Sequence, residues 1–175
     1  SSYSVTGVQT CALPISEAQY LACAQKLKVD PELFKKIIEK WMYQRPLRHL
    51  RDCRRQGAVE FFRLLKERGI KTGVFSDYPA GEKLKAMDLQ PDLVLAATDP
   101  DVDRLKPDPK GLILTAGRLE APVSQCLYIG DRDDLDGAAA RKAGMRYLIL
   151  APKTLDRYDR FRDYDQLISR LLAWG

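Results

Sequence analysis

The chain has 175 residues, which is enough for one domain with a hydrophobic core and a small appendage. Hydrophobic residues make up 45% of it and charged residues 30%, as in ordinary globular proteins. The longest uncharged stretch, residues 1–16, is too short and polar to span a membrane and lacks the basic start of a signal peptide. The net charge is +5, but basic and acidic residues are interleaved, which argues against a nucleic-acid-binding stripe.

Cysteine and histidine usage narrows the possible chemistry further. The single histidine, His49, makes a His-ligated metal site or a Ser-His-Asp triad improbable, and we expect it at the surface or at a helix cap. The cysteines show no C-x-x-C spacing, which predicts reduced thiols in a cytoplasmic protein. There are four of them: Cys11, Cys23, Cys53 and Cys126.

The first residues look foreign to the rest of the chain. Val5 to Ile15 reads VTGVQTCALPI, which is what a common short-read sequencing adapter encodes in one frame. We therefore expect residues 1–16 to be a foreign leader, with the native reading beginning near Glu17 and the true N-terminus lost. A natural Ser/Thr-rich leader is the alternative.

Two helices are predicted next, over residues 17–28 and 31–43, where apolar residues recur at helical spacing. Asp30 and Pro31 form a start signal for the second helix, with the aspartate as N-cap and the proline at the first helical position. The second helix ends in residues 41–43 (WMY), which could face a substrate but which we expect to pack in the core.

From Gly57 onward, helices and strands alternate. A first amphipathic helix covers residues 57–68 and is closed by Gly69. Strand and helix patterns then alternate four times with short connections, which predicts a doubly wound parallel sheet with helices on both faces, an α/β fold. The predicted strands are 70–75, 93–97, 126–129 and 146–150, and the predicted helices are 80–87, 109–119, 136–143 and 164–174.

Polar residues follow the first two predicted strands. Ser76 and Asp77 come directly after the first, and Lys106 lies in a proline-stiffened loop after the second. Ligands of such sheets bind beyond the carboxyl ends of the strands, where a hydroxyl and backbone N–H groups can hold a phosphate and a lysine can neutralise it. Taken singly, these residues are more often a turn and a solvated lysine, so both interpretations stay open.

The third strand end carries the strongest signal. Four aspartates fall within six residues there: Asp131, Asp133, Asp134 and Asp136. Carboxylates this close are unfavourable unless something positive compensates them. The N-terminus of the next helix could satisfy one or two as caps, and the others suggest a hard divalent cation with oxygen ligands, for which Mg²⁺ is the best match.

The order of these signals resembles the haloacid dehalogenase superfamily. Strand–Ser, strand–loop–Lys-Pro-x-Pro and strand–Gly-Asp-x₄-Asp follow one another, and IGDRDDLDGAAARKAGM is similar to the fourth motif of that family. The resemblance covers roughly residues 51–150. It implies a Rossmann-like core over residues 51–175 and a small helical cap over residues 17–50.

The resemblance also implies a role for each matched residue. Ser76 and Asp77 would bind the substrate at its phosphoryl group, and Lys106 would hold that group and the nucleophile. Asp131 and Asp136 would bind or orient Mg²⁺, and the two aspartates between them would cap the helix or reach the metal. The substrate would be a small phosphorylated metabolite, as in a phosphoglycolate-phosphatase-like enzyme, with mutase or dehalogenase chemistry also possible.

One departure from the family bears on activity. The family's first strand ends in Asp-x-Asp, whose first aspartate attacks phosphorus, but here no aspartate precedes Asp30. We expect an N-terminally truncated member whose native first strand is missing and which is inactive as written. The alternative is a degenerate, non-catalytic module that binds a phosphorylated ligand or a partner protein. A phosphoacceptor receiver domain fits less well, because it is shorter and needs an acidic pair before its first helix.

Two structural expectations follow. Ser76, Lys106, Asp131 and Asp136 should converge on one pocket, within about 10 Å of each other. The lost strand would lie between the strand ending at Phe75 and the one ending at Ile129. Residues 2–8 (SYSVTGV), which alternate and are rich in β-formers, should pair there as a surrogate strand.

Overall fold

The computed structural model describes residues 17–151 and 159–173, in which helices and parallel strands alternate after a helical start. The expected surrogate strand and Cys11 lie outside these ranges. No helix in the described ranges is long and apolar enough to cross a membrane. The helices are α1 (Glu17–Leu27), α2 (Pro31–Ile38), α3 (Leu47–Leu50), α4 (Ala58–Glu67), α5 (Gly81–Ala86), α6 (Lys110–Arg118), α7 (Ala138–Ala143) and α8 (Tyr164–Ala173). The strands are β1 (Gly73–Ser76), β2 (Leu93–Ala96), β3 (Leu127–Gly130), β4 (Arg146–Leu150) and β5 (Arg160–Phe161).

The segment expected to form the cap is helical, and its second helix, α2, begins at Pro31 as predicted. The Asp30 carboxylate accepts a hydrogen bond from the Glu32 backbone N–H at 3.1 Å, which caps α2. The α-helix ends at Ile38 and continues as a π-helical segment, Glu39–Gln44, where an α-helix was predicted to residue 43. A π-helical turn differs from an α-helix in its hydrogen bonds, which run from i to i+5, and so short a stretch of sequence does not show this difference.

The aromatic end of this segment does not pack in the core as expected. Trp41 is 56% exposed and Met42 is 38% exposed. The Arg45 guanidinium lies 3.9 Å from the centre of the Trp41 ring and covers part of it. The expectation was wrong because apolar side chains are buried only where another layer packs on them, and the π-helical segment Glu39–Gln44 contributes no buried residue.

The strands form a parallel sheet in two parts. β1 pairs with β2, with Gly73 opposite Leu93, and β4 pairs with β3 on one side and β5 on the other. β5 was not predicted, because two residues carry no readable period. Within the described ranges β1 and β3 are not paired with each other, and a missing strand between them stays a prediction.

Helices cover both faces of this sheet, which confirms the predicted doubly wound α/β class. Val74 points into an apolar cluster with α4, α5 and α8, while its neighbour Phe75 points into a second cluster with α6 and α7. Ile129 and Tyr128 of β3 contribute to the same two clusters in turn. Both clusters therefore take residues from both parts of the sheet, so the two parts lie in one layer.

Candidate functional site

The carboxyl end of β1 carries the first predicted site residues. Ser76 is the last residue of β1 and is 1% exposed, and its hydroxyl oxygen accepts a hydrogen bond from the Tyr78 backbone N–H at 3.2 Å. Asp77 follows, and its Oδ1 accepts a hydrogen bond from the Lys106 backbone N–H at 3.1 Å. The turn after β1 thus fixes the loop that presents the lysine.

Lys106 is buried and reaches the end of β3. Its Nζ lies 2.7 Å from Oδ1 of Asp136 and 3.9 Å from Oδ2 of Asp77. The side chains of Lys106 and Asp136 are both 0% exposed. A charged pair is retained at such depth only when its partners and hydrogen bonds compensate the lost hydration. This contact joins the edge of β1 and β2 to the edge of β3.

The Asp136 carboxylate accepts hydrogen bonds on both oxygens. Oδ1 accepts from the Lys106 ammonium at 2.7 Å and from the Tyr128 hydroxyl at 2.9 Å. Oδ2 accepts from the backbone N–H groups of Asp131 and Arg132, each at 3.0 Å. Burial alone would raise the pKa of Asp136, but the Lys106 charge and these donors lower it overall. Asp136 is thus a buried anion whose hydrogen bonds position both Lys106 and the loop after β3.

Asp131 differs from its neighbours because one of its oxygens has no partner. Its Oδ1 is buried and makes no hydrogen bond to any residue in the described part of the chain. Burial, and then the nearby Asp136 charge, raise the pKa of Asp131. A buried carboxylate oxygen without a donor is costly, and a hard cation is the kind of group that satisfies it. The residue therefore fits the metal-ligand role predicted for it.

The other two aspartates do not cap the helix and are paired with arginines. Asp133 lies 2.9 Å from each of two guanidinium nitrogens, one from Arg141 and one from Arg160. Asp134 pairs with Arg132 at 2.6 Å, and no side chain caps the π-helical turn Asp133–Gly137 that starts here. The expectation that they cap the helix was therefore wrong, because neighbouring and distant arginines pair with these carboxylates instead. That they reach a metal stays a prediction.

These pairings also change the argument for a cation. Three of the four aspartates have a basic side chain as partner, so carboxylate density by itself does not require a metal. No group of three or more acidic, cysteine or histidine side chains in the described part of the chain is placed to hold a metal ion. The case for Mg²⁺ therefore rests on Asp131, with Asp136 orienting its loop.

The predicted site residues are linked by these contacts. Asp77, Lys106, Asp136 and Asp131 form a continuous network, and Ser76 adjoins it through the chain. Tyr128 is a member that the sequence did not indicate, since a tyrosine in a strand is ordinarily a packing residue. The contact of its hydroxyl with the site can be recognised only once the position of Asp136 is known.

The other unusual residues expected from the sequence lie away from this network. His49 is exposed, as expected. The cysteines that lie in the described ranges, Cys23, Cys53 and Cys126, are free thiols.

Comparison with known proteins points to one family. The model of the haloacid dehalogenase-like hydrolases matches residues 12–144. A curated Bacillus subtilis (strain 168) protein named "Putative phosphatase YhcW" is 31% identical over 121 residues, which are 67% of this chain and 54% of YhcW. The chain thus spans about half the length of that relative.

Solved structures share the fold at low sequence identity. A HAD phosphatase from Thermococcus onnurineus is similar with a TM-score of 0.61 at 19% identity, over 89% of this chain and 87% of that one. A 2-haloacid dehalogenase from Pseudomonas syringae pv. Tomato DC3000 has a TM-score of 0.66 at 19% identity, over 91% and 70%. A β-phosphoglucomutase from Clostridium difficile has a TM-score of 0.61 at 16% identity, over 91% and 70%. These likenesses concern the fold alone.

Proposed function

Because this chain belongs to the haloacid dehalogenase-like hydrolase family, we propose that it carries the phosphate- and metal-binding half of a Mg²⁺-dependent phosphate-monoester hydrolase. The substrate would be a small phosphorylated metabolite of the phosphoglycolate type. The observation that carries the proposal is the buried Lys106–Asp136 pair, 2.7 Å apart, beside Asp131 with its unpartnered buried oxygen. A fixed cation and an unsatisfied carboxylate at one sheet edge are what a phosphate and its counter-ion require.

Each residue would have a distinct task. Lys106 would place its positive charge against the phosphoryl oxygens, and Ser76 would contact the same group at the end of β1. Asp77 was first expected to bind substrate, but its hydrogen bond from the Lys106 N–H favours a positioning role. A carboxylate that holds the lysine loop is also better placed away from an anionic substrate than against it.

Asp131 would be the direct Mg²⁺ ligand, with Asp136 orienting its loop. Mg²⁺ in proteins usually keeps several waters and uses one or two carboxylates together with substrate phosphate, so three protein ligands are not needed. When bound, the ion would neutralise charge that develops on the phosphoryl oxygens. Asp136 already accepts four hydrogen bonds, which leaves it little capacity to bind the ion directly.

Turnover by this route needs an aspartate nucleophile at the end of a strand, and the given sequence has no aspartate before Asp30. Phosphate-monoester hydrolysis has an exceptionally high uncatalysed barrier, and a lysine with a metal provides no covalent route. We therefore expect negligible hydrolysis of p-nitrophenyl phosphate by the chain as given. The second candidate is a non-catalytic module that binds a phosphorylated ligand or a partner protein.

A binding experiment tests the shared part of both candidates. Titration calorimetry with Mg²⁺ and with orthophosphate would compare the wild type with Asp131→Asn and with Asp134→Asn. The Asp134 substitution is the matched control, because that carboxylate is 65% exposed and pairs with Arg132 in the same loop. The wild type and the control should bind Mg²⁺, and Asp131→Asn should not.

Two results would contradict the proposal. Equal Mg²⁺ affinity in all three proteins would remove the metal assignment. Robust hydrolysis of p-nitrophenyl phosphate, abolished by Asp131→Asn, would overturn the expectation of inactivity. The coding sequence upstream of Glu17 separates the two candidates, since an Asp-x-Asp at the end of a strand there supports the hydrolase and its absence supports the module.

A further inference from the structure

Tyr128 contacts both charged groups of the buried pair, although no step of the proposed function uses it. It lies in β3, and its hydroxyl is 2.9 Å from Oδ1 of Asp136 and 3.5 Å from Nζ of Lys106. Its ring packs in the apolar cluster formed with α6 and α7. The side chain therefore has an apolar part that belongs to the core and a polar tip that belongs to the site.

We propose that Tyr128 is a positioning residue, whose hydroxyl fixes the orientation of the Asp136 carboxylate and, through it, the backbone that carries Asp131. The carboxylate receives side-chain donors on Oδ1 and the N–H groups of Asp131 and Arg132 on Oδ2. Any rotation of the Asp136 carboxylate therefore disturbs the hydrogen bonds to Oδ1 and those to Oδ2 together. Tyr128 thereby couples the core of the sheet to the loop that presents the unpartnered oxygen of Asp131.

Lys106 cannot supply this orientation by itself. An ammonium is a compact charge on a flexible stem and follows a carboxylate oxygen through several orientations. The Tyr128 ring is held in β3 by packing, so its hydroxyl approaches Oδ1 from one direction only. The hydroxyl donates to an anion and points at Asp136, so Tyr128 acts through that carboxylate and is not assigned a contact with substrate.

The fold supplies a matched control in Tyr147. This residue is the register partner of Tyr128 on the neighbouring strand, and its ring packs against the same apolar cluster. Its hydroxyl accepts a hydrogen bond from Arg141 at 2.7 Å, outside the Asp136 network. Tyr128→Phe and Tyr147→Phe therefore remove the same atom from adjacent strands, and only the first removes a donor to the carboxylate.

The first test needs no metal. Amide hydrogen exchange would be measured on the full chain for the wild type and both Phe variants. Losing one hydrogen bond that orders the carboxylate should speed exchange at the Asp131 and Arg132 amides about fivefold in Tyr128→Phe, with β4 amides unchanged. Tyr147→Phe should leave both amides at the wild-type rate. Unchanged Asp131 and Arg132 exchange in Tyr128→Phe, or equal acceleration of the β4 amides, would overturn the proposal.

The second test deepens the proposed function and rests on it. Calorimetry should show Mg²⁺ binding about tenfold weaker in Tyr128→Phe, because the variant loses a hydrogen bond to the carboxylate that holds the loop of the metal ligand. Tyr147→Phe should bind Mg²⁺ as the wild type does. In an Asp136→Asn background the additional effect of Tyr128→Phe should disappear, because the residue through which it acts has changed. A tenfold effect that persists in that background would overturn the coupling. A wild type that binds no Mg²⁺ would count against the proposed function alone, while the exchange result still decides the role of Tyr128.

Discussion

Gly130→Ala is the sharpest structural test of the buried site. An ideal Cβ at Gly130 would lie 2.4 Å from Cβ, 2.7 Å from Cγ and 2.8 Å from Oδ2 of Asp136. Asp136 is 0% exposed and accepts hydrogen bonds on both oxygens, so it has no free direction in which to withdraw. Overpacking of this kind typically costs 1–3 kcal/mol, and we expect a loss of about 2 kcal/mol in the free energy of unfolding.

The loss should be measured by urea unfolding and calorimetry. In a chain of this length about 2 kcal/mol corresponds to a drop in melting temperature of roughly 4–8 °C. Gly117→Ala is the control, because no atom lies within 4 Å of the added methyl and the position is helical. That change should be neutral or stabilising by about 0.5–1 kcal/mol. A Gly130→Ala protein as stable as the wild type would show that the loop after β3 is not packed against Asp136 as described.

Two further predictions concern pH and metal. The Thr72 backbone N–H, at 2.7 Å, and then its hydroxyl, at 2.9 Å, lower the pKa of Asp92. A carboxyl group with a lowered folded pKa stabilises the fold above its unfolded pKa of about 4, and this contribution is lost as the pH falls through the folded pKa. Asp92→Asn should therefore lower the free energy of unfolding at neutral pH by less than about 1 kcal/mol, since the group is exposed. It should also make the free energy of unfolding depend less on pH below about 4. An unchanged pH dependence in that range would contradict this. Mg²⁺ should raise the melting temperature of the wild type, because at a hundredfold excess over Kd it adds about 2.7 kcal/mol to the free energy of unfolding. Chelation should reverse this rise. A melting temperature independent of Mg²⁺ would argue against the site.

The helices and strands were largely readable from local pattern. The strand over residues 146–150 was predicted with the bounds that the structure has, and the helix over residues 57–68 was found as Ala58–Glu67. Such elements are set by side-chain periodicity and by caps such as Asp30, which act over a few neighbouring residues. Element ends were less well predicted: the strand expected from residue 70 begins at Gly73, because pairing with β2 decides where it starts.

Interactions between distant elements were not readable in this way. The two-residue strand β5 exists because it pairs with β4, and the exposure of Trp41 depends on what packs against the segment Glu39–Gln44. Neither property is encoded in a periodic pattern. The same limit applies to the break between β1 and β3, which the sequence suggested only through the resemblance to a family with a strand at that position.

The sequence by itself determined the α/β class and the positions of the polar residues at the strand ends, because strand-to-helix junctions are local. Only the tertiary structure decided how their charges are compensated. Asp133 is paired with Arg160, 27 residues away, and Asp136 with Lys106, 30 residues away, while Asp131 keeps an unpartnered oxygen among the described residues. Charge pairing depends on distance in space, and four similar aspartates in one short segment therefore acquire different roles only when the chain folds.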